Sequence, residues 1–182
     1  MAIWELRCAA VNEFAVLVSR DYDNIEEQLF DTDGTAKDWQ DRPRVGYVVE
    51  PRKKQQKPRA DVGLLVPGAL VLNARAREAL GPFLAPFGQM LELDCEGEPR
   101  WFFNVTQRLD CVDLRRSQRF DDGGLRLEAF DESRLPDTAL VFKDPLTAPV
   151  RIYVNEAGKQ ALEALVREAG LSGLECGAPR PL

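Results

Sequence analysis

Residues 101–117 constrain this chain more than any other stretch. They open as the aromatic, β-branched run Trp101-Phe102-Phe103-Asn104-Val105-Thr106 and close on Asp113-Leu114-Arg115-Arg116-Ser117. Such a run has strand propensity, and its polar end predicts a core strand that leaves its sheet into a structured corner. Glu96-Gly97-Glu98-Pro99 is a turn signal immediately ahead of it. Before that turn, Met90-Leu91-Glu92-Leu93-Asp94-Cys95 alternates, with Leu91, Leu93 and Cys95 on one face, so the two segments are expected to pair as a hairpin. Consecutive strand side chains point to opposite faces, so Phe102 or Phe103 must enter the core.

Further strands are expected at 3–8, 14–18, 45–49, 70–72, 125–129, 139–142 and 150–154, each a short apolar or alternating run. Asn73 is a good N-cap for a helix carrying Ala76, Leu80 and Leu84, with an interruption expected near Gly81 because Pro82 follows. Asn155 caps a second helix on which Ala157, Ala161, Leu162, Leu165 and Ala169 share a face, ended by Gly170. Both helices follow a Val-rich strand, yet no sequence repeat is strong enough to establish a duplication. Asp31-Thr32-Asp33-Gly34 misses the calcium-loop spacing and reads as a turn. The pattern predicts an α+β fold, a mostly antiparallel twisted sheet with a few packed helices, in a single domain with room for an N-terminal lobe. The Lys/Gln run at 52–59 is the best linker candidate, dividing a lobe of residues 1–59 from a core of residues 60–182, and the 179–181 tail is expected to be loose.

The chain contains no histidine, which removes the commonest general base, nucleophile pairs that depend on it, and imidazole metal ligands. Cys8, Cys95, Cys111 and Cys176 lack a Cys-x-x-Cys pair and are read as reduced core residues in preference to disulfides, since Cys95 is in phase with Leu91 and Leu93. No apolar run is long enough for a membrane helix, and charges interrupt the first residues where a signal peptide would be apolar, so a cytoplasmic protein is expected. A net charge of -6 argues against nucleic acid as the main ligand. No phosphate-binding glycine loop or other cofactor motif is present. Asp110 and Asp113 are the obvious carboxylate pair, three residues apart. They suit either a small Mg²⁺-dependent hydrolase or, as the preferred reading, a turn in which Asp113 and Ser117 accept hydrogen bonds.

From about residue 60 onward the order of features resembles the Imm-eleven type of bacterial polymorphic-toxin immunity proteins. The matching segments are Phe103-Asn104-Val105-Thr106, Leu109-Asp110 with Asp113 and Ser117, Leu140-Val141-Phe142, Ile152-Tyr153-Val154 and Leu171-Ser172-Gly173-Leu174, and the likeness covers roughly two thirds of the chain. What it implies is a non-catalytic protein that neutralises a cognate toxin, encoded next to it, by protein–protein binding, with no metal or cofactor. An adaptor or chaperone for a secreted effector is the alternative. The charge pattern supplies the candidate surface: Asp21, Asp23, Asp31, Asp33, Asp38 and Asp41 form an acidic stretch suited to a basic partner, and a basic run follows directly. Trp39 is either an anchor in that interface or a pin that holds the loop to the body.

Overall fold

The structure, a computed structural model, describes residues 2–9, 12–20, 30–49, 51–52 and 54–182. In chain order its elements are β1 (Ile3–Cys8), β2 (Leu17–Ser19), β3 (Arg44–Tyr47), β4 (Val62–Gly63), β5 (Leu70–Leu72), α1 (Ala74–Leu84), β6 (Gly88–Cys95), β7 (Arg100–Val105), β8 (Gln118–Arg119), β9 (Leu125–Leu127), β10 (Val141–Phe142), β11 (Tyr153–Asn155), α2 (Glu156–Ala169) and β12 (Leu174–Gly177). The α+β class expected from the pattern is what the chain adopts, with antiparallel pairings dominating.

The aromatic strand β7 lies inside a six-stranded sheet of order β2-β3-β6-β7-β5-β4. It pairs with β6 as the expected hairpin, from Gly88 opposite Val105 to Leu93 opposite Arg100. Phe102 and Phe103 are both fully buried, because both faces of this sheet are covered. Phe103 and Val105 join Leu70, Leu72 and the α1 residues Ala76, Leu80 and Leu84 in one cluster. Phe102 joins Val71, Val45, Leu93 and Phe30 in another, on the opposite face. Among the described residues, β3 beside β6 is the one parallel pairing in this sheet.

A second sheet, order β10-β11-β1-β12, is antiparallel throughout, with β1 between β11 and β12. The two sheets repeat one arrangement. In the first, β5 leads through α1 to β6, and β7 fills the gap between those two parallel strands. In the second, β11 leads through α2 to β12, and β1 fills the gap. The helix caps match: Asn73 accepts from Ala76 N at 2.8 Å and Asn155 from Gly158 N at 2.9 Å. Asn73 N donates to Asp61 O just before β4, and Asn155 N to Leu140 O just before β10. The helices pack on each other, and the apolar face of each sheet meets them in a shared core containing Leu6, Val105, Val154 and Leu162.

Several expectations differ from the structure. Residues before the 59/60 boundary contribute to both sheets: β1 lies between β11 and β12 in the second, while β2 and β3 extend the first. Helix α1 continues through Gly81 and Pro82 to Leu84 before a single 3-10 turn. Pro82 is exposed, on the helix side where a carbonyl that loses its donor is reached by water. The tail is tied down, since Leu182 N donates to Arg126 O at 2.8 Å, Arg180 N to Glu5 Oε2 at 3.3 Å, and Arg180 O accepts from Arg151. The strand expected at 150–154 shrinks to Tyr153–Asn155. Arg151 instead enters a buried ionic network, 2.8 Å from Glu5 and 2.7 Å from Glu128.

Candidate functional site

Residues 30–41 cross the face of the first sheet opposite the helices. Their course is set by local turns and by side chains reaching up from the sheet. Asp33 N donates to Asp31 Oδ1 at 3.2 Å, and Thr35 donates to Asp33 Oδ1 from its N at 2.8 Å and its hydroxyl at 2.7 Å. These are the Asx turns expected of Asp-Thr-Asp-Gly. The Thr35 bonds hold the Asp33 carboxyl below the usual range.

From below, Gln89 and Asn104, directly opposite each other on β6 and β7, act as a polar rail. Gln89 Oε1 accepts from Lys37 N at 2.8 Å and Gln89 Nε2 donates to Lys37 O at 3.0 Å, so one side-chain amide stands in for a neighbouring strand. Asn104 Nδ2 donates to Thr35 O at 2.7 Å and to Gln89 Oε1 at 3.1 Å. Ahead of and beyond this rail, Phe30 and Trp39 pack on Phe102 with ring centres 5.7 and 5.6 Å away, and on each other at 5.8 Å. Trp39 is half-buried, its ring packed in this cluster. The loop backbone is therefore fixed while its carboxylates face water: Asp31, Asp38 and Asp41 are exposed, and Asp33 is half-buried. Asp21 and Asp23 lie outside the described residues.

Beyond Asp41 an open groove of about 910 Å³ separates this segment from the β6–β7 hairpin. Asp41, Glu92, Asp94 and Glu98 line it, with Arg42 bonded to Glu92 at 3.0 Å. Next to it, Arg59 and Arg100 stack on Tyr47, their guanidinium carbons 4.4 and 5.4 Å from the ring centre, and both pair with Glu98 at 3.1 and 2.9 Å. Burial pushes the Glu98 carboxyl up, and these two guanidinium partners outweigh it and hold the group low.

No protein-family model matches this chain, and no curated protein matches it either.

The Asp110 and Asp113 pair is already engaged. Asp113 accepts from Arg115 N at 2.9 Å and Arg116 Nε at 2.7 Å, closing a turn, while exposed Asp110 pairs with Arg134 at 3.2 Å. Ser117 donates to Asp113 O at 2.7 Å and accepts from Ala129 N at 3.0 Å. Among the described residues no three His, Cys, Asp or Glu side chains are grouped to hold a metal ion. No helix of the described residues is long and apolar enough to cross a membrane. All four cysteines are free thiols, and burial pushes Cys8, Cys111 and Cys176 up to about 12.

In the sequence Asn104 stands out only as part of a strand motif, and Gln89 does not stand out at all. A polar residue inside an aromatic core strand was the available signal for Asn104. Nothing in the local sequence marks Gln89 as its partner.

Proposed function

We propose that this protein is a non-catalytic, cytoplasmic immunity protein that binds a cognate toxin through its acidic loop and neutralises it. The observation that carries the reading is the combination of a backbone pinned by Gln89, Asn104, Phe30 and Trp39 with three outward carboxylates at Asp31, Asp38 and Asp41. A loop held in place before binding loses less conformational entropy when a partner docks, and its surplus of carboxylates over Lys37 and the neighbouring Arg108 steers a basic partner onto it. The resemblance to the Imm-eleven type supports the same reading, as does the -6 net charge, which favours a basic protein partner over nucleic acid. Trp39 contributes by fixing the loop, and the carboxylates make the contact.

Co-expression tests the function. The neighbouring gene expressed alone should stop growth, and adding this gene should restore it. A neighbour that is harmless alone, or still toxic beside this protein, removes the immunity reading.

A further inference from the structure

The two equivalent units meet at a seam, and the acidic loop is fastened to that seam. Matching the strand registers places residues 67–80 on residues 149–162 without a gap, since Leu72 faces Val62 as Val154 faces Val141. Pro67 then falls on Pro149, Asn73 on Asn155, Ala79 on Ala161 and Leu80 on Leu162. Arg77 falls on Lys159, and the equivalence reaches their contacts. Trp101 lies opposite Leu72 and Trp4 opposite Val154, with Arg77 over Trp101 at 4.5 Å and Lys159 over Trp4 at 3.8 Å. A side-chain constellation repeated at matching positions identifies the two seam loops, 64–69 and 143–152, as counterparts.

Thr32 bridges these counterparts. Its hydroxyl lies 3.1 Å from Pro67 O and 2.6 Å from Pro149 O, the same carbonyl in each unit, and the residue is 3 % exposed. Lys143 ties the loops beneath it, donating to Gly68 O at 2.7 Å and Ala148 O at 2.5 Å. Gly68 sits between them at φ +71°, and a Cβ there would come within 2.7 Å of Pro149 O and 2.8 Å of the Thr32 hydroxyl. The approach of the two units thus depends on a bare backbone at this point.

We propose that this seam is a positioning device for partner recognition, in which Thr32, held by the paired proline carbonyls, sets the placement of Asp31 and the carboxylates that follow it. The consequence for binding rests on the reading of the acidic loop as the partner-facing surface. Thr32 is a positioning residue: its neighbours Asp31 and Asp33 reach the surface while its own hydroxyl is spent inside. Loop placement is then set jointly by both units, so relative movement of the units would be felt at the docking surface.

The test pairs Thr32→Val, which keeps the shape and removes the hydroxyl, with Thr32→Ser, which restores it. Amide hydrogen exchange over residues 31–41 should rise about tenfold in the valine variant and return toward wild type in the serine variant, with β5 to β7 unchanged. Unchanged exchange in 31–41, or an equal rise across β5 to β7, overturns the clasp. A ten-residue arginine peptide at low ionic strength then probes the surface. Its affinity should fall in a variant carrying Asn at 31, 38 and 41, and fall about threefold in Thr32→Val. If the Asn variant weakens the peptide and Thr32→Val does not, the clasp does not position the surface. If the Asn variant binds as wild type, the acidic-surface reading fails, and the exchange result still decides the clasp separately.

Discussion

A polar side chain in the middle of an aromatic strand destabilises the core unless it finds partners, and Asn104 finds them for its Nδ2 at Thr35 O and Gln89 Oε1, while its Oδ1 is buried with none. The sequence makes the residue conspicuous but hides its role, because the loop that needs it lies 69 residues earlier in the chain. Lys143 is hidden in the same way. It follows a Val-Phe strand with no local cue, yet it is fully buried and its ammonium is held by carbonyls from loops far apart. Burial pushes its pKa from 10.5 down to about 7, against the opposing attraction of Asp33 and Asp31. Between those two values the unfolded chain binds more protons than the folded one, so this group makes stability rise with pH across that window, by at most about 1.4 kcal/mol per pH unit. Buried thiols act in the opposite direction nearer pH 9, because Cys8, Cys111 and Cys176 keep their protons in the fold after the unfolded chain has lost them. Denaturant unfolding of wild type and Lys143→Met at pH 7 and 8.5 isolates the lysine: the wild type should gain stability relative to the variant over that interval. A constant difference would mean that Lys143 stays charged throughout.

Among the elements, those specified by local chemistry were legible. The β6–β7 hairpin follows from alternation on either side of Glu96-Gly97-Glu98-Pro99, and both helices begin at the asparagines that cap them. Gly170 ends α2 in the left-handed conformation, as expected of a residue just past the last apolar position. Pairings between distant segments were not legible. Nothing in Ile3–Cys8 says that it will lie between β11 and β12, because a strand's partner is chosen by tertiary packing. Alternation also overstates strand length, as at 150–154, where Arg151 serves a buried ionic network. The central place of β7 has a measurable consequence. Phe102→Ala and Phe103→Ala should each cost about 3–5 kcal/mol, since each empties a fully buried site on a different face of one sheet. Thermal melts that shift by less than a degree in both variants would place the strand outside the core.

For the whole molecule, the repeat of a split β-α-β unit explains why a chain with no obvious sequence repeat still forms two matching sheets. The matched positions are a cap, a cation, a tryptophan and a few core residues, too sparse to stand out in a linear reading. The same sparseness limited the site. The acidic stretch was visible as charge, whereas its immobilisation depends on Gln89, Asn104 and the seam at Thr32, which only the fold brings beneath it. On the function proposed above, this acidic loop receives a basic partner. The most direct measurement is the association rate between the neighbouring gene's protein and a variant with Asp31, Asp38 and Asp41 changed to Asn, read at low and at physiological ionic strength. The melting temperature should stay close to wild type, the association rate should fall about tenfold at low salt, and its salt dependence should flatten. An association rate equal to wild type at low salt would contradict that proposal and move the contact to the basic run at 52–59.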